Sequence, residues 1–276
     1  IALDETYLEA MLNAAEVLMH PLGEWDEAID LCDDALEYAE TKEEIADCLL
    51  LRVDALLGKG DTEEARKSMT RLPEPPFENP SYVFLIGRAF YELGEPEKAM
   101  PYIEEAVRSD PEHADAHYYL GLLRDDGGDV RGAVEAFLRS RALDLSKPPP
   151  AWAPSPEAFA QLVRRVIQGL DAILARWVRD AEVFIVDVPG AELVVDGVDP
   201  RAMVILDARA PDEGDGEGGR AGLQARLFIY QRNVERAAGS VSALESELAG
   251  ALEREVTAVF LDRDPTSTPA DKHHLN

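Results

Sequence analysis

Cysteine is scarce in this chain: Cys32 and Cys48 are the only two among 276 residues. Two thiols cannot build a disulfide framework, and a metal site would need histidine or carboxylate help. They are expected as reduced packing residues, the usage of a cytoplasmic protein. Basic residues are also few, 27 Lys and Arg against 55 Asp and Glu, for a formal net charge of −28. Phosphate-backbone binding depends on clustered Lys and Arg, so nucleic acid is excluded as a partner. Adhesion to anionic lipid is disfavoured for the same reason. No apolar run approaches the ~18 residues of a membrane span, and no basic-then-apolar signal segment opens the chain. The first residue is Ile rather than Met, which leaves room for a segment upstream. What is abundant is apolar content, 46%, too much for a disordered acidic chain. The length suits one or two domains.

The charge is unevenly spread. Residues 1–147 hold 34 acids and 14 bases, and residues 148–276 hold 21 and 13, so the acidity sits mainly in the first half. That half is periodic. Gly60, Gly94 and Gly128 are 34 residues apart, as are Ala65, Ala99 and Ala133, and Met69, Ile103 and Phe137. Gly87 and Gly121 repeat the same spacing. An earlier copy at Gly23 and Ala28 stands 37 residues before the next, which implies a three-residue insertion. Within a unit, Val83, Ile86 and Phe90 form one helical stripe, and Ala99, Ile103 and Ala106 form a second after Gly94. Small residues at 87 and 99 predict close helix contact. Such a hairpin cannot bury its apolar face alone, so neighbours must stack into an all-α helical-hairpin solenoid.

The segments "LIGRAFYELGEPEKAMPYIEEAVRSDP" and "YYLGLLRDDGGDVRGAVEAFLRSRALDL" resemble tetratricopeptide repeats, with units at about 9–42, 46–79, 80–113 and 114–147. The resemblance implies that unit positions 2, 5, 9 and 12 line a ligand groove. These are Ala10, Asn13, Val17 and His20; Asp47, Leu50, Asp54 and Leu57; Ser81, Phe84, Arg88 and Tyr91; Asp115, Tyr118, Leu122 and Asp125. Of the cations and amides that would clamp a terminal carboxylate, only Arg88 and Asn13 are present. Aromatics among carboxylates suit a basic or aromatic-rich peptide better. The main peptide-binding candidates are Asp54, Phe84, Arg88, Tyr91, Asp115, Tyr118 and Leu122. Packing between units is the competing role for Phe84, Tyr91 and Tyr118. His113 and His117, four residues apart, have a spacing that could ligate a metal, but His113 falls in the turn between units, which argues against a site there.

The period stops after Leu145, and a Pro-rich linker at 148–154 follows. Ser155-Pro156-Glu157 opens a helix that Ala158, Leu162, Val166, Leu170, Ile173, Leu174 and Trp177 continue to about 179. Strands are expected at 182–188, 192–197, 202–208 and 225–232, with a Gly- and acid-rich loop at 211–222. Ser242 and Glu245 form a capping-box pattern for a last helix to about 261. The tail 263–276 reads as unstructured. Helix, strands, helix make a small α+β domain over 155–262.

The run "VDVPGAELVVDGVDPRAMVILDA", then "LFIYQRNVER", then a capped helix, resembles the minimal zincin-like metallopeptidases of bacteria. Their active-site helix carries H-E-x-x-H, whose histidines bind zinc and whose Glu activates the bound water. That register puts Arg254 and Ala258 at the histidines and Glu255 at the Glu, so only Glu255 survives. A guanidinium repels zinc and a methyl cannot ligate it. His273 and His274 sit side by side on the tail and do not replace that pair. Asp196 and Asp199 in "DGVDP" are turn chemistry before they are an acid/base pair. The expectation is an interaction scaffold with no catalytic residues and no cofactor. If "RLFIYQRNVER" is an edge strand, Arg226, Tyr230 and Arg232 would hold an added peptide strand. The alternative is a metallopeptidase with non-standard ligands, which alone would bring in zinc.

Overall fold

A computed structural model describes residues 8–209 and 224–260 of the chain. The whole of the expected acidic loop at 211–222 and the tail with His273 and His274 lie outside these residues. The chain divides into two compact units, residues 1–140 and 141–276.

The first unit is a run of helical hairpins. α1 (Leu8–Val17), continued by a π-turn at Leu18–Leu22, pairs with α2 (Trp25–Tyr38). α3 (Lys42–Lys59) pairs with α4 (Thr62–Met69), and α5 (Ser81–Glu92) with α6 (Pro96–Ser109). α7 (Ala114–Asp126) is followed by α8 (Val130–Ser146). The glycine column marks the turn of every hairpin: Gly23, Gly60, Gly94 and Gly128 have φ of 72°, 87°, 73° and 79°. Side chains are costly in that left-handed region, which is why the column is glycine. The inserted residues before the second hairpin start α3 early. Thr41 and Glu44 cap it reciprocally, Thr41 Oγ1 accepting from the Glu44 N–H at 3.2 Å and the Glu44 carboxylate accepting from the Thr41 N–H at 2.9 Å.

The second glycine column works by contact. A Cβ at Gly87 would lie 2.8 Å from Ile103 Cδ1, and one at Gly121 would lie 2.4 Å from Phe137 Cδ1. Column residues Ala65, Ala99 and Ala133 are buried as well. Cys32 and Cys48 are free and buried, and burial pushes their thiols up to about 12 and about 11.

In the second unit, the final turn of α8 is tied by Asp144, which meets Arg201 Nε at 3.1 Å with both side chains mostly buried. The Pro-rich linker is not a free spacer, because Trp152 packs on the unit's core. α9 (Pro156–Gly169) and α10 (Ala172–Val178) replace the single helix expected there. The chain extends at Leu170, and Asp171 caps the second helix by accepting from the Ile173 N–H at 2.8 Å. β1 (Glu182–Val186), β2 (Val204–Arg209) and β3 (Gln224–Tyr230) form one sheet in the order β1-β3-β2. β1 runs parallel to β3, with Phe184 opposite Phe228; β2 is antiparallel, with Leu206 opposite Leu227.

The strand expected at 192–197 is instead the short helix α11 (Ala191–Val195). One face of it is buried at Val194, while Val195 is 57% exposed, and Gly197 ends it at φ 94°. β3 gives way at once to α12 (Gln231–Ala238), and α13 (Leu244–Phe260) closes the unit. α13 begins two residues after Ser242. The Ser242 hydroxyl pairs with Ser240 and Glu245 reaches Arg165 at 3.4 Å, so each half of the expected capping box has another partner. Leu227, Ile229, Leu248, Leu252, Val256 and Phe159 form the centre of this core. Each such side chain contributes roughly 1.5–3 kcal/mol on burial.

Candidate functional site

The groove positions converge most clearly in the first three hairpins. Asp54 on α3 and Arg88 on α5 occupy the same unit position one 34-residue period apart, so stacking brings them face to face. Arg88 Nη2 lies 2.8 and 3.1 Å from the two Asp54 carboxylate oxygens, and Arg88 Nε lies 3.5 Å from Glu92. Tyr119 donates to the second side of this network, its hydroxyl 2.8 Å from Glu92 Oε1. A cleft of about 610 Å³ opens over these groups. Its apolar walls are Val17, Met19, Leu51 and Leu57; its charged and polar lining is Glu16, Asp54, Glu92, Arg88 and His20. His20 leaves helical geometry at φ −136°, ψ 115°, and its ring stands edge-on to Trp25 at 5.5 Å.

Five expected groove residues thus share one cleft: Val17, His20, Asp54, Leu57 and Arg88. Glu16, Glu92, Met19 and Leu51 lie outside the expected register, although Glu92 follows Arg88 by one helical turn and was legible on that basis. Arg88 is not a free carboxylate clamp, because two carboxylates of the chain itself already flank it.

The remaining candidates separate. Phe84 is 7% exposed and packs on His113 at 4.5 Å and Tyr119 at 5.7 Å, the contacts of the competing packing role. Tyr91 is half-buried, edge-on to Tyr119 at 5.6 Å, and burial followed by Asp126 raises its pKa. Tyr118, also half-buried, meets Tyr119 and Phe137 at 5.9 and 5.8 Å. Asp115 and Leu122 are half-buried on α7, away from the cleft lining. His113 caps α7 by accepting from the Ala116 N–H at 3.1 Å, and His117 Nε2 lies 3.1 Å from the Pro111 carbonyl. Both imidazoles therefore have structural roles.

Burial pushes the Asp54 and Glu92 carboxyls up, and Arg88 draws each back only in part. Asp47 is raised by burial as well, despite the Tyr82 hydroxyl donating to it at 2.8 Å. A carboxyl raised in the folded state binds its proton more tightly there than in the unfolded chain. Its stabilisation is complete below the unfolded value near 4 and is lost as pH rises through the higher folded value. Self-repulsion at a net charge of −28 acts in the same direction. The melting temperature is therefore expected to be higher at pH 5 than at pH 8, as followed by circular dichroism; a lower value at pH 5 contradicts this assignment.

In the second unit the expected peptide-binding edge is corrected by the topology. β3 is the central strand, hydrogen-bonded on both sides, and so cannot accept another strand. Tyr230 at its end is 1% exposed, and burial raises its hydroxyl to about 12. Arg226 pairs with Glu182 at 3.8 Å. Arg232 lies in α12, where its guanidinium donates to the carbonyls of Lys147 and Asp144. Glu255 accepts the outward N–H of Leu206 at 2.8 Å, covering part of the β2 edge. Asp199 accepts from the Arg201 N–H at 2.7 Å, in keeping with turn chemistry. Among the described residues, no three His, Cys, Asp or Glu side chains converge as a metal site, and no helix is long and apolar enough to cross a membrane.

Two family models described as tetratricopeptide repeat match the chain, one over residues 10–46 and one over 84–146. The helical hairpins within these two stretches are thus tetratricopeptide repeats. Among solved structures, the chain is similar to MamA from Desulfovibrio magneticus RS-1, at 20% identity and TM-score 0.41 over 52% of this chain and 78% of that one. It is similar to YrrB, described as a TPR protein with an unusual peptide-binding site, at 20% identity and TM-score 0.39 over 61% and 90%. The likeness to pilF of Pseudomonas aeruginosa spans 94% and 93% at 15% identity and TM-score 0.46. Comparison with curated proteins finds no match.

Proposed function

We propose that these tetratricopeptide repeats make the chain a protein-interaction scaffold that holds a partner polypeptide along the groove face of residues 9–147. Repeat solenoids bind protein and peptide partners because stacked hairpins place equivalent side chains side by side on one extended surface. The observation that carries the reading is the convergence of five groove positions of three successive hairpins on one cleft. Three carboxylates against one guanidinium favour a basic, partly apolar partner. Tyr91, Tyr118, Leu122 and Asp115 would extend the contact along α5 and α7.

The second unit, on this reading, is a non-catalytic docking module. Its likeness to minimal zincins rests on the sequence pattern of 155–262 alone. Glu255, the surviving member of that pattern, is engaged with a strand N–H, and Arg254 and Ala258 stand where metal ligands would be. No cofactor enters the account, and the proposed location is cytoplasmic.

Affinity capture with the full chain as bait tests the scaffold role. Partner recovery is expected to fall steeply with added salt, because the recognition is electrostatic. It is also expected to fall at least tenfold on Leu57→Arg, which adds a cation and bulk to the cleft. Recovery indifferent to both would refute groove binding.

A further inference from the structure

The cleft has an unbalanced charge and an ill-fitting internal cation. Glu16, Asp54 and Glu92 face a single guanidinium, that of Arg88. Arg88 reaches both Asp54 oxygens through one nitrogen, Nη2, rather than through the paired nitrogens of a fork. Its Nε is buried, lies 3.5 Å from Glu92 and has no hydrogen-bond partner. A buried N–H without an acceptor is a standing cost. Arg88 therefore offsets only part of the carboxylate charge and leaves hydrogen-bonding capacity of its own unfilled.

We propose that the cleft is a subsite for the cationic side chain, arginine or lysine, of the bound polypeptide, and that Arg88 occupies the carboxylates in its absence. This deepens the scaffold reading and rests on it. The walls fit the rest of such a side chain. Val17, 55% exposed, and Leu57 can cover an aliphatic stem while the charged end meets Glu16 and Glu92. The volume of about 610 Å³ exceeds what one arginine side chain needs, so the ligand enters without displacing the helices. Asp54 is then shared or exchanged between the two cations. Arg88 becomes an internal competitor, which reverses the sign expected of a clamp for carboxylates.

The test uses the full chain and a probe without peptide register, N-acetylarginine N-methylamide, with its uncharged citrulline analogue as control. The ring proton resonance of His20, identified by its loss in His20→Gln, reports on the cleft. The arginine probe should shift it saturably, and the citrulline probe should bind at least about fivefold more weakly. Glu16 is exposed, so Glu16→Gln leaves the fold intact and should weaken the arginine probe by a similar factor. Arg88→Gln should tighten it. Equal response to both probes, no response into the tens of millimolar, or an unchanged affinity in Glu16→Gln would overturn the proposal. Such a failure leaves partner capture through the groove standing. A normal probe response with capture insensitive to both salt and Leu57→Arg would instead remove the scaffold reading.

Discussion

Gly87→Ala is expected to destabilise the repeat unit by about 1–3 kcal/mol, although it adds one methyl group to a helix that alanine favours. The new Cβ would sit 2.8 Å from Ile103 Cδ1 and 3.0 Å from Tyr102 Cβ. Ile103 is fully buried and cannot swing away, and the Tyr102 Cβ is fixed by the backbone of α6. Relief must come from parting α5 and α6, the two helices of the third hairpin. The change would appear as a lower urea midpoint by circular dichroism. Ile103→Val in the same chain, by shortening the clashing branch, should recover part of the loss. An alanine variant as stable as the parent would mean that the second glycine column, Gly87 and Gly121, does not set the helix approach.

Asn233→Ala should cost the second unit about 3 kcal/mol. The Asn233 side chain is 2% exposed, and its amide donates to the carbonyls of Pro200 and Ala202 at 2.9 and 2.7 Å. Those bonds fasten α12 to the turn that precedes β2. Alanine leaves both carbonyls without a donor, and the loss exceeds that of a surface hydrogen bond because no water replaces the amide at a buried site. In a Trp25→Phe background, fluorescence of Trp152 and Trp177, both packed on the second core, reads this unit. A midpoint within error of the parent would remove Asn233 from the account of how the unit holds together.

Legibility in the sequence followed the range of each interaction. The hairpin turns were readable because a left-handed residue leaves a glycine every 34 positions, and the shifted first glycine announced the extra length before the second hairpin. The Asp54–Arg88 pair was readable too, since opposite charges one period apart in one column must meet when hairpins stack. A ligand groove hides it, because both residues also fit the pattern of groove positions that would face a partner. The break between α9 and α10 had a local signal, Gly169 followed by the cap residue Asp171, that the continuous apolar stripe concealed. α11 was misread because "ELVV" has the composition of a strand; the bracketing Pro189-Gly190 and Gly197 argued for a turn of helix. The place of β3 at the centre of the sheet had no local signal. Strand order depends on which long-range pairings bury most apolar surface, and no residue within 224–230 encodes it.

Site-specific photo-crosslinking tests the central claim most directly. A photoreactive residue placed at Val17 or Leu57, in the cleft, and another at Arg108, exposed on α6, would be compared in the full chain with its captured partner. A partner adduct is expected from Val17 and Leu57 and none from Arg108. Adducts from Arg108 with none from the cleft positions would contradict it.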